Sequence, residues 1–116
     1  MARSPKVHHS TTEPVHQNIF PGAEIEFIHS PNMTFASWSF SAGTEVPSHS
    51  HPHEQITHCI AGALILKISD DEVVLGPGET AVIASGAEHS ACADVPTSGV
   101  DVFFPVREDY KLGSVK

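Results

Sequence analysis

The sequence predicts a single all-β domain, a small sandwich or barrel preceded by a flexible N-terminal arm. Short runs rich in Ile, Val, Thr and Phe recur from Ile25 onward. Turn-forming residues punctuate them at close intervals. No segment keeps a helical apolar period for more than two turns. About nine short strands are expected from runs of this kind, and closing the sheet would protect the edges that such strands expose.

In chain order, residues 1–18 are polar, contain Pro5 and Pro14, and show no periodicity, so they read as the arm. His8, His9 and His16 fall there and read as solvent-exposed tail residues. The domain proper is assigned to residues 19–116. "AEIEFIH" (23–29) alternates apolar and polar residues, "SPN" turns the chain, and "MTFASWSF" (33–40) follows. "AGTEVP" (42–47) reads as a Gly/Pro break. "QITHCI" (55–60), "LILKIS" (64–69), "VVL" (73–75), "TAVIA" (80–84) and "GVDVFFPV" (99–106) are strands. "AGA", "DDE" and "GPGE" supply turns between them.

Composition excludes several partner classes. The chain of 116 residues carries a formal charge of −8, the wrong sign for a nucleic-acid backbone or an anionic membrane surface. Its fixed cations are Arg3, Lys6, Lys67, Arg107, Lys111 and Lys116, and only Lys67 and Arg107 lie inside the body of the chain. Cys59 and Cys92 are too few for a disulfide scaffold and read as small buried hydrophobes. No apolar run reaches membrane-spanning length, and no apolar signal segment follows the N-terminal "MARSPKVHHS". A cytoplasmic location is therefore expected.

Metal-capable side chains are concentrated in "HSHPHEQ" (49–55). Alternate strand residues share a face, so His49 and His51 point the same way if the stretch is extended, with Gln55 and Thr57 in the same parity. His53 follows Pro52, where the chain is expected to bend. His89 lies far along the sequence on another strand. Imidazole nitrogens suit zinc, iron, nickel, copper and manganese.

Glycines frame these residues. Gly43 precedes His49, Gly62 follows Gln55, and Gly78 and Gly86 precede His89. The spacing resembles the two cupin motifs, Gly-x5-His-x-His-x3-Glu-x6-Gly and Gly-x5-Pro-x-Gly-x2-His-x3-Asn, without a gap over residues 43–93. Gln55 replaces the glutamate, Ala84 the proline and Ala93 the asparagine. The resemblance implies a cupin barrel of jelly-roll type holding one divalent metal ion per chain (Ni, Zn, Fe or Mn). His49, His51 and His89 fall on the histidine ligand positions and Gln55 on the carboxylate position. A neutral amide leaves the full charge of the ion uncompensated, which favours Lewis-acid over redox chemistry.

"DVFFPVREDY" (101–110) adds Asp101 and Phe103 on one strand face and Arg107 beyond it. Composition alone favours a solvent-facing aspartate and an arginine on an exposed turn. The scarcity of body cations, and the fit of a planar guanidinium to a carboxylate, favour a pocket role instead. Taken with "HSHPHEQIT", this stretch resembles the KdgF-type small cupins, which open the ring of 4,5-unsaturated monouronates from pectin and alginate breakdown. The resemblance implies a small anionic sugar-acid substrate, with Asp101 as general acid–base, Phe103 as an apolar wall and Arg107 as carboxylate binder. It also implies a homodimer.

Two other functions fit the same residues. One is an iron-dependent dioxygenase acting on a small diketone or phenol; the other is a non-catalytic cupin that holds a metal or sugar acid. Glu54 reads as solvated and His58 as pointing away from the metal, while Trp38 and Phe40 read as core or interface aromatics. His29 and His53 receive no role.

Overall fold

The structure, a computed structural model, describes residues 7, 16–17 and 20–111. Ten strands follow one another: β1 (His16–Gln17), β2 (Ala23–His29), β3 (Thr34–Phe40), β4 (Thr44–His49), β5 (Glu54–Ala61), β6 (Leu64–Ile68), β7 (Asp71–Leu75), β8 (Thr80–Ile83), β9 (His89–Ala93) and β10 (Thr97–Phe104). A short 3-10 turn, Glu108–Tyr110, ends the described chain. The strands form two antiparallel sheets, ordered β1-β2-β3-β10-β5-β8 and β4-β9-β6-β7, the expected jelly-roll barrel.

Period-two alternation decides what faces inward. On β3, Thr34, Ala36, Trp38 and Phe40 are buried or nearly so, while Phe35 is 39% exposed on the outer face. Phe27, Trp38, Phe40 and Phe103 join Leu64, Leu66, Leu75 and Ile83 in one core between the sheets. Burial of each such side chain stabilises the fold by roughly 1.5–3 kcal/mol before the ordering entropy is counted. The outer face of the larger sheet carries an apolar row in register across five strands, Ile28, Phe35, Val102, Ile56 and Val82.

Two elements differ from expectation. "AGTEVP" is not a break, because residues from Thr44 onward form β4. That strand lies at a sheet edge, where Pro47 removes no interior ladder bond, and a register shift between Val46 and His49 absorbs the irregularity. The "DDE" turn is made by Ser69 and Asp70, and Asp71 already belongs to β7. The strand expected to carry His89 is β9, "HSACA", between β4 and β6, although its small residues carry a weak strand signal. Within the arm, His16 and Gln17 pair with Glu26 and Ile25 of β2. The remainder of residues 1–18, with His8 and His9, lies outside the described residues except for Val7. Among the described residues no helix is long and apolar enough to cross a membrane.

Candidate metal centre and its cavity

Both sheets contribute to the histidine cluster. His49 ends β4 and lies opposite His89, the first residue of β9, in the smaller sheet. His51 lies in the link to β5, and Gln55 near the start of β5 in the larger sheet. The His-x-His pair is therefore not carried by one strand, since the strand ends at His49. Convergence is achieved by the link instead: Gly86 N–H donates to the His51 carbonyl at 2.9 Å, tying the loop before His89 to the loop holding His51. Gly86 takes φ +78°, a region open to glycine at little cost.

One ligand atom from each of His49, His51 and His89 can be chosen so that all lie within 4.8 Å of one another. Each Nδ1 meets a backbone carbonyl: Pro47 at 2.8 Å for His49, His53 at 3.0 Å for His51 and Ala87 at 2.9 Å for His89. A carbonyl can only accept, so each Nδ1 carries the proton and each Nε2 keeps its lone pair in the neutral ring. Backbone hydrogen bonds of this kind orient metal-ligating histidines.

Two further observations fit a cation. His89 Nε2 is buried and has no hydrogen-bond partner. His51 Nε2 faces Gln55 Oε1 at 3.0 Å, while Gln55 Nε2 donates to Thr57 Oγ1 at 2.9 Å. With the His51 proton on Nδ1, two lone pairs confront one another, an arrangement that a positive ion between them would stabilise. Burial, with the charge of Arg107 and then His89 adding to it, lowers the pKa of His51 to about 4. Burial also lowers that of His89. Both rings are thus neutral near pH 7, as ligation requires.

Asp101 occupies the inner face of β10, where Trp38 Nε1 donates to its Oδ1 at 3.1 Å. Burial pushes its carboxyl up to about 6, against the opposing effect of hydrogen bonds from Thr57, Trp38 and Gln55. Gln55 therefore joins the metal cluster to the acid through one amide. The indole reaches Asp101 because Gly99, its register partner on β10, has no side chain; a Cβ there would run into the ring and the His58 carbonyl.

Phe103 sets its ring edge-on to His51, with centroids 5.7 Å apart. Arg107, only 5% exposed, places Cζ 4.8 Å from the Phe103 centroid and 4.1 Å from that of Tyr110. Its fork is not open, however, because Nε and Nη2 donate to Asp109 Oδ1 and Oδ2 at 3.0 and 2.8 Å.

His49, Gln55, His89, Asp101, Phe103 and Arg107 all line one cavity of about 80 Å³, and His51 packs beside it. At roughly 30 Å³ per water in the liquid, that is room for about two or three waters. The remaining walls are mainly apolar and include Phe27, Phe40, Leu64 and Leu66.

Sequence reasoning missed three neighbours. Trp38 read as a core or interface aromatic, because its bond to Asp101 depends on a strand pairing 63 residues apart in sequence. Tyr110, stacked on Phe27 at 4.6 Å, gave no signal. Asp109 did leave one, an acid two positions from the scarce cation Arg107. His58 bonds Thr80 on the outer face, with the parity expected. Burial raises both thiols, leaving Cys59 and Cys92 protonated.

A family model described as a cupin domain matches residues 36–103. No curated protein matches the chain. Among solved structures the fold is similar to KdgF from Halomonas, with TM-score 0.78 and 27% identity over 83% of this chain and 92% of that one. It is similar to an RmlC-like cupin from Shewanella frigidimarina, with TM-score 0.85 and 20% identity over 96% and 100%. It is also similar to salicylate 1,2-dioxygenase from Pseudoaminobacter salicylatoxidans, with TM-score 0.70 and 16% identity over 74% and 26%. The latter two likenesses concern the fold alone.

Proposed function

The chain belongs to the cupin family, and within it we propose a metal-dependent, non-redox enzyme that opens the ring of 4,5-unsaturated monouronates to the linear 4-deoxy-5-keto acid. The observation that carries this reading is the union, through Gln55, of an uncharged ligand set with a buried carboxyl whose pKa lies near 6. The likeness to KdgF from Halomonas supports it.

The reaction is a net isomerisation. The bond between C1 and the ring oxygen breaks, C1 becomes an aldehyde and C5 a ketone, and the proton lost from the C1 hydroxyl is balanced by one gained at C4. Nothing is oxidised. A divalent ion held by His49, His51, His89 and Gln55 would supply Lewis acidity toward a sugar oxygen. Asp101 moves the proton, since a carboxyl near 6 both accepts from a hydroxyl and donates to carbon at neutral pH. Trp38 and Thr57 hold that carboxylate in place, and Phe103 offers a flat apolar wall to the ring. Arg107 lines the same cavity and would hydrogen-bond the sugar carboxylate.

The apolar walls favour one other reading, an oxygen-dependent cleavage of a phenol or diketone at the same centre. Oxygen uptake coupled to loss of such a substrate would support it; turnover of uronates under anaerobic conditions would decide for ring opening. Ligand-induced stabilisation with no product from any of these compounds would instead mark a binding cupin.

A further inference from the structure

Arg107 is over-determined. Its side chain is 6% exposed between Phe103 and Tyr110, and its backbone N–H donates to Thr34 Oγ1 at 2.8 Å. Asp109, with its side chain 56% exposed on the 3-10 turn, reaches this guanidinium from the solvent side and takes Nε and Nη2 together. That is the two-point geometry in which arginine holds a free carboxylate. The chain has thus placed one of its own carboxylates where an incoming one would dock.

We propose that Asp109 is a specificity-determining residue. Its carboxylate occupies the Nε–Nη2 edge of Arg107, so that a substrate carboxylate cannot take that two-point edge. The pair is neutral as a unit, which also weakens the attraction of the cavity wall for anions in general. A ligand offering only a carboxylate then gains little, and a ligand that also reaches Gln55, Asp101 and the histidines is preferred. The inference rests on reading the cavity as the substrate site.

The test is calorimetric titration of the full chain, metal-free and zinc-loaded, with galacturonate, a saturated sugar acid lacking the double bond that the reaction needs. Asp109→Asn should bind it about 3- to 30-fold more tightly than the parent, because the fork and its charge are released. Asp109→Glu, which keeps the charge, should stay within about threefold. For unsaturated uronates, Asp109→Asn should lower KM and kcat together, a tight but misplaced mode, whereas simple loss of structure would raise KM. Unchanged or weaker binding in Asp109→Asn, or no measurable binding to either protein, overturns the inference. Tighter binding in a chain that turns over no uronate would sustain it while removing the proposed reaction; turnover without tighter binding would do the reverse.

Discussion

Replacing Asp101 with asparagine should stabilise the metal-free protein while abolishing its activity. The carboxyl is raised from an ordinary value near 3.8 to about 6, chiefly by burial. At 1.36 kcal/mol per pH unit the ionised group therefore costs the fold roughly 3 kcal/mol above pH 6. The folded chain holds a proton that the unfolded chain has lost between about pH 3.8 and 6, so this contribution to stability falls as pH rises through that interval. Asparagine has no proton to lose, and its carbonyl still accepts from Trp38 Nε1. Part of the gain is offset where the new amide N–H₂ faces Gln55 and Thr57. The expected net stabilisation at pH 7–8 is about 1–3 kcal/mol, or roughly 5–15 °C in Tm for a domain of this size. At pH 4 it should vanish.

His51 works in the opposite direction. Its folded pKa of about 4 means that the unfolded chain takes up the extra proton below pH 6.5, so stability is lost as pH falls toward 4. The two slopes oppose one another in the parent between about pH 4 and 6, and the variant should expose the histidine slope alone. Urea denaturation with a chelator present, from pH 4 to 8, measures both. A variant less stable than the parent at pH 8, or a difference that does not shrink toward pH 4, would refute the strained-carboxylate account.

Three further outcomes are expected. Gln55→Glu should bind zinc at least about tenfold more tightly by competition titration, since a negative charge replaces a neutral oxygen; weaker binding would place Oε1 away from the ion. Gly99→Ala should cost about 1–3 kcal/mol and shift the emission of Trp38, the single tryptophan, because the indole must leave its seat against β10. Unchanged emission would contradict that packing. We propose that the homodimer expected from the family resemblance would form through the apolar row on the larger sheet, where Ile56 is 43% and Val82 64% exposed; sedimentation should then find a dimer in the parent and a monomer in Ile56→Glu. A monomeric parent would remove the assignment.

Much of this architecture was legible because the informative residues obey local rules. Gly43, Gly62, Gly78 and Gly86 all take φ between 78° and 89°, so their spacing in the sequence measures turns, and the turns set the distances between ligand strands. Strand parity put Gln55 in phase with His49 and His51, and Asp101 with Phe103 on one face. Parity could not show which inward residues meet. The bond from Trp38 to Asp101 depends on β3–β10 register, and the contact of His49 with His89 on β4–β9 register. Nor could parity locate His51, which lies outside any strand. Arg107 was singled out for its rarity, but the pairing that determines how it acts is made by a 3-10 turn too short to carry a periodic signal.

The central claim, metal-assisted ring opening without oxidation, is tested most directly by turnover under anaerobic conditions. Lyase-generated unsaturated galacturonate and mannuronate would be supplied to metal-loaded protein, and loss of the ultraviolet band of the conjugated enol ether followed against the uncatalysed rate. The account predicts acceleration above that background without oxygen, abolished by chelation and reduced about a hundred- to ten-thousand-fold in Asp101→Ala. No acceleration with either sugar acid, or acceleration that requires oxygen, would contradict it.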